Sequence, residues 1–95
     1  MSGAASLDAT SRPALSPHVR MRHDPTRGGW VLLGPERVLM LDDTAAEILK
    51  LCDGAASIAL IAGQLAERYA APLAQVQGDV IEMLQNLRDK GMVLG

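Results

Sequence analysis

Trp30-Val31-Leu32-Leu33-Gly34-Pro35-Glu36-Arg37-Val38-Leu39-Met40-Leu41 is the stretch that decides the fold. Two short apolar runs flank a turn in which Pro35 fixes φ beside the permissive Gly34. A loop this short favours antiparallel neighbours. Upstream, Val19, Met21 and His23 alternate with Arg20, Arg22 and Asp24, the period of a half-buried strand. Asp24-Pro25-Thr26-Arg27-Gly28-Gly29 then reads as a second turn. The pattern predicts a meander of three antiparallel strands.

Beyond Leu41 the period becomes helical. Asp42, Asp43 or Thr44 can cap a first helix with Ala45, Ile48, Leu49 and Cys52 on one stripe. Asp53-Gly54 stops it, with Gly54 suited to the left-handed C-terminal position. Ser57 caps a second helix carrying Ile58, Ile61, Ala62, Leu65 and Tyr69 on one face, and Ala70-Ala71-Pro72 breaks it. The third helix covers residues 73–90, with Val76, Val80, Met83, Leu84 and Leu87 as its stripe and Ile81 beside it. Gly91 ends that helix, leaving Met92-Val93-Leu94 as a short apolar tail. Three strands followed by three helices make a small α+β domain of winged helix-turn-helix type over residues 18–95. Residues 1–17 show neither period and are expected to form a flexible tail.

Composition narrows the function classes. The 95 residues are 48% hydrophobic and 21% charged, which suits one packed domain. Aromatics make up only 2%, so the core must come from Leu, Ile, Val, Ala and Met. Cys52 is the single cysteine, which excludes an intrachain disulfide and a multi-cysteine metal site. Its place on an apolar stripe reads as an inert core thiol. His18 and His23 point to opposite faces of a strand and cannot share a metal. Asp42 and Asp43 read as helix-start residues rather than an acid–base pair. Gly28, Gly29 and Gly34 lie in hairpin turns, without the strand-to-helix context of a phosphate cradle. No catalytic constellation, metal or cofactor is expected, and the chain is not read as an enzyme.

Partners are narrowed in the same way. No apolar run reaches the roughly 20 residues of a membrane helix, and the N-terminus lacks a secretory pattern, so a cytoplasmic protein away from the membrane is expected. Residues 42–95 carry four basic side chains against eight acidic ones, and none of the basic ones falls between Tyr69 and Leu87. Nucleic acid needs phosphate neutralisation and is not the expected partner. A helix-turn-helix DNA-binding or purely structural module stays as the alternative class. One binding device remains, the edge of the third predicted strand, Val38, Leu39, Met40 and Leu41, which can accept an incoming peptide strand. From composition alone this run reads as buried core.

Several runs together resemble one family. They are Arg20-x-Arg22-x-Asp24; Trp30-Val31-Leu32-Leu33-Gly34-Pro35-Glu36; and Leu41-Asp42-x-x-Ala45-x-x-Ile48-Leu49-x-Leu51-Cys52-Asp53-Gly54. Ile61, Leu65, Tyr69, Asp79-Val80, Leu84 and Leu87 continue the match, which covers residues 19–94. The chain resembles the PqqD family of pyrroloquinoline quinone (PQQ) biosynthesis. The resemblance implies a non-enzymatic peptide chaperone that binds the ribosomal precursor peptide PqqA. It also implies presentation of that peptide to PqqE, a radical S-adenosylmethionine enzyme that cross-links a Glu and a Tyr within it. In this class the peptide adds as a strand at the third strand's edge and packs on the third helix. Carried onto this chain, the implied contacts are Arg37, Val38, Leu39, Met40 and Leu41, with Val80, Met83, Leu84 or Leu87 from the helix. Arg37 would pair with acidic peptide residues. Trp30 is expected to close the aliphatic core, with docking on PqqE as the other reading of the exposed Arg and Asp residues. The exposed edge also permits a homodimer, including one formed by segment exchange, which would occupy the peptide's edge.

Overall fold

A computed structural model of the chain describes residues 6–26 and 28–95. Arg27 of the second expected turn and residues 1–5 of the expected tail lie outside them. The elements run β1 (Ala14–Leu15), β2 (Arg20–Asp24), β3 (Gly29–Leu33), β4 (Val38–Leu41), α1 (Asp43–Lys50), α2 (Ile58–Tyr69), α3 (Leu73–Asp89) and β5 (Val93–Leu94). The expected meander forms as an antiparallel sheet in the order β2-β3-β4.

Pairing places Met21 opposite Leu32 and Leu32 opposite Leu39, so these three share one face of the sheet. Leu32 has no exposed surface, and Met21, Leu39 and Leu41 pack against the same core. The other parity, Arg20, Arg22, Val31, Leu33, Val38 and Met40, therefore points away from the helices. Residue alternation alone sorts the sheet into an inner and an outer face.

The helices supply the second layer. The Asp42 carboxylate accepts the Ala45 N–H at 2.7 Å, and the Ser57 hydroxyl accepts the Leu60 N–H at 3.1 Å, as their positions before α1 and α2 predict. Ile58, Ile61, Leu65, Val80, Leu84 and Leu87 bury the apolar stripes of α2 and α3 against Leu32, Ile48 and Leu49. No buried side chain among the described residues is polar or charged. The end of α1 differs from expectation. The helix closes at Leu51, and Gly54, at φ +81°, belongs to the following turn. There the Asp53 carboxylate accepts the Ala55 and Ala56 N–H groups at 2.9 Å each. Those bonds, led by the one from Ala56, hold the Asp53 carboxyl below the usual range.

Part of the segment assigned above to a tail lies against the domain. Leu7 is buried, its N–H donating to Gln85 Oε1 at 2.8 Å. The Ser11 and Ala9 carbonyls accept the Ile58 and Ala59 N–H groups at 2.9 Å each, completing the N-terminal cap that Ser57 begins. β1 pairs with β5 through Ala14 opposite Leu94 and Leu15 opposite Val93, burying Met92 and Val93. The short apolar tail after α3 is thus a strand. Neither strand has the length for a visible period, because each is stabilised by a partner some 80 residues away in the chain.

Cys52 sits on the inner side of α1's end, its thiol donating to the Ile48 carbonyl at 3.3 Å. Burial, reinforced by the neighbouring Asp53 charge, pushes the thiol up to about 12. At pH 8 roughly one molecule in ten thousand would carry the thiolate. Alkylation of Cys52 at pH 8 should therefore follow the unfolding rate and become fast only in denaturant; fast alkylation of the folded chain would contradict this burial. Leu7→Ala should lower the unfolding free energy by about 2 kcal/mol in chemical denaturation. An unchanged midpoint would show that the leading segment does not dock.

Candidate functional site

β4 is the outer strand of its sheet, and among the described residues no strand pairs on its far side. The Gly34 N–H donates to the Arg37 carbonyl at 2.8 Å. Alternation from that bond makes Leu39 and Leu41 the residues bonded to β3 and directs Val38's main-chain groups to the outer edge. Below the edge, between β4 and α3, runs an open groove of about 490 Å³. Its volume falls in the range of sites that enclose small ligands or a few side chains, roughly 300–1,000 Å³.

The groove takes its lining from three elements. β4 contributes Leu39, Met40 and Leu41; Asp42 and Ala45 close the end at α1. α3 contributes Asp79, Glu82, Met83, Asn86 and Leu87, at the spacing of one helix face, and Lys90 follows as its C-cap. Leu39, Leu41, Met83 and Leu87 make an apolar floor with charged and amide groups along the rim. The charges are segregated. Asp42, Asp79 and Glu82 stand toward the α1 end, whereas Lys90 also borders an adjoining cleft with Gly34, Pro35, Glu36 and Arg37.

The structure sorts the residues singled out from sequence. Val80 and Leu84 are core residues with at most 1% of their surface exposed, so neither reaches the groove. They lie on the part of the α3 stripe that faces α2 and the sheet, a distinction the helix period does not make. Met83 and Leu87 do reach the groove. Val38 is 64% exposed and Met40 54%, so the strand is an edge rather than core. Arg37 is exposed in the β3–β4 turn, at the basic end. Asp79, Glu82, Asn86 and Lys90 were not singled out for the site; their place on or just beyond the helix face of Met83 and Leu87 is the signal that marks them.

Trp30 departs from its expected role. It is only partly buried, with the His23 ring edge-on at 5.1 Å between centroids and Lys50 Nζ 4.2 Å from the ring centre. It covers the sheet's rim rather than closing the core. A larger cleft, about 820 Å³, opens along α2 between Leu51, Leu60, Gly63, Gln64 and Arg68. Beside it Glu47 bonds to Arg68 and Tyr69. None of the residues lining this cleft belongs to a strand, so it offers no main-chain ladder. Among the described residues no group of three or more His, Cys, Asp or Glu side chains is placed to hold a metal. No helix among them is long and apolar enough to cross a membrane.

Known proteins place the fold in context. The family model described as coenzyme PQQ synthesis protein D (PqqD) matches residues 29–93. A PqqA binding protein of Rhodopseudomonas palustris is 53% identical over 87 residues, covering 92% of this chain and 85% of its own length. One from Bradyrhizobium diazoefficiens is 48% identical over 88 residues, covering 93% of this chain and 85% of its own. The solution structure of the PqqD part of Methylobacterium extorquens PqqCD is described as a stand-alone recognition element for ribosomally synthesised, post-translationally modified peptides. It superposes with a TM-score of 0.83 at 37% identity, covering 94% of this chain and 95% of its own. A crystal structure of PqqD from Xanthomonas campestris gives 0.57 at 42% identity, covering 90% and 94%. Matched by that family model over residues 29–93 and by relatives about half identical across almost its whole length, the chain belongs to the PqqD family.

Proposed function

We propose that this protein binds the precursor peptide PqqA in PQQ biosynthesis by taking it as an added strand on β4, and presents it to the enzyme PqqE. The open groove beside an outer strand carries the reading. Strand addition gives main-chain hydrogen bonds, which are indifferent to sequence, and a pocket for alternate side chains, which is not. At roughly 3.3 Å per residue, a peptide paired along the four residues of β4 would drop about two side chains onto Leu39, Leu41, Met83 and Leu87. The segregated rim charges favour a peptide whose acidic residues lie toward Arg37 and Lys90 and whose basic residues lie toward Asp42, Asp79 and Glu82. The protein itself works as a binding and presenting accessory, and the chemistry belongs to its partner. A homodimer formed through the same edge would exclude the peptide.

Met83→Asp should weaken PqqA binding at least tenfold in isothermal titration, because a carboxylate on the groove floor meets apolar peptide side chains. Met83→Gln, gentler on the fold, should weaken it in the same direction. Leu60→Asp, in the larger α2 cleft, should leave it unchanged. The reading fails if Leu60→Asp abolishes binding while both Met83 variants retain it.

A further inference from the structure

α3 faces β4 across the open groove, so the distance between them is set by what holds α3 from behind. Gln85 lies midway between Met83 and Leu87 in the chain, a little over half a helical turn from each, and so points away from the groove floor. Its Oε1 accepts the Leu7 N–H at 2.8 Å, and its Nε2 donates to the Asp89 carboxylate at 2.9 Å. Leu7 itself is 4% exposed and belongs to the same core as Leu84 and Leu87. Farther along, the Ser16 N–H donates to the Met92 carbonyl at 3.0 Å and the Ser16 hydroxyl to the Gly91 carbonyl at 2.8 Å. Those two residues directly follow Lys90, at the basic end of the groove. Between the two grips, the Ala9 and Ser11 carbonyls hold the first turn of α2. Residues 7–16 thus tie down the middle and end of α3 and the start of α2 together. Glu82 and Asn86 line both the groove and a hollow of about 420 Å³ at Leu7, forming a ridge that the two sites share.

We infer that docking of residues 7–16 and binding of the peptide are coupled through α3, with Leu7 as a positioning residue for the groove. The inference rests on the peptide-binding reading above and gives that site a control element outside its own lining. Of these ten residues only Leu7 and Pro13 are buried, so releasing the segment costs far less than unfolding the domain. Release removes the brace at Gln85 and the tie from Ser16, while the stripes of α2 and α3 stay packed. The helix then samples several distances from β4, and the groove loses its single width. A guest strand must pair with β4 and seat side chains on Met83 and Leu87 at the same time. It therefore binds the docked form more tightly, because that form has both walls already in place. Linkage makes the effect mutual: the bound peptide holds the segment down by the same factor by which the docked segment strengthens peptide binding.

Two measurements test the coupling, one on variants and one on the unaltered chain. Leu7→Asp, which puts a carboxylate where the core needs an apolar group and so undocks the segment, should weaken PqqA binding about fivefold or more in isothermal titration. Leu7→Met, close in volume, should restore the affinity. Met21→Ala, on the strand farthest from β4 in the sheet, should lower stability and leave the affinity unchanged. In the unaltered chain, saturating PqqA should slow hydrogen exchange at the Leu7 and Ala59 amides by a factor matching the loss in Leu7→Asp. Ala59 reports from the start of α2, where its N–H meets the Ala9 carbonyl and no groove residue intervenes. Unchanged exchange at both amides would overturn the coupling, and this result needs no variant to fold. Full affinity in Leu7→Asp would overturn it too, as would an equal loss in Met21→Ala, which would make the effect one of general stability. Failure of the underlying reading looks different: an unaltered chain with no affinity for PqqA removes the peptide site and the coupling together, whereas one that binds PqqA and ignores Leu7 loses the coupling alone.

Discussion

The register of β3 against its two neighbours is the constraint on which the rest depends. Leu32 is wholly buried, and once it points inward every second residue of three strands must follow it. A slip of one residue between β3 and β4 would bring Val38 and Met40 inward and turn Leu39 and Leu41 out to solvent. The groove would lose its floor at the same time. Both surfaces of the sheet are thus fixed by a single core side chain and by the turn that sets its pairing.

α3 must then stay close enough to β4 to form a groove without filling it. Two features outside the central meander hold it there. β5 follows α3 directly and is tied down by β1, while Gln85 of α3 accepts the Leu7 N–H. The same leading segment supplies carbonyls to the first N–H groups of α2. A helix of 12 residues has little stability of its own in water, so its capping and packing together determine its position. The α3 face toward β4 combines a short apolar floor with a charged rim, which leaves room for a guest strand where a continuous apolar stripe would close the gap.

Much of this was legible in the residues. The Trp30–Leu41 stretch, the Asp42 and Ser57 caps and the long α3 stripe follow from local periodicity and capping, and they specify the meander and the three helices. What periodicity does not carry is long-range. Ala14–Leu15 and Val93–Leu94 have too few residues to show alternation, and only pairing across the chain makes them strands. For the same reason the α3 stripe did not separate Val80 and Leu84, which face the core, from Met83 and Leu87, which reach the groove. A helix in contact with two surfaces presents a stripe wider than either. Trp30 shows the reverse error: a large ring suggests core, yet its place at the end of β3 leaves it on the rim beside His23 and Lys50.

Strand addition at β4 is the central claim, and nuclear magnetic resonance on the isotope-labelled chain with unlabelled PqqA tests it most directly. The account predicts cross-strand nuclear Overhauser contacts between β4 and the peptide main chain. It also predicts slower hydrogen exchange at the Val38 amide and side-chain contacts from the peptide to Met83 and Leu87. Contacts confined to Leu60 and Gly63 on α2, with β4 unaffected, would contradict it.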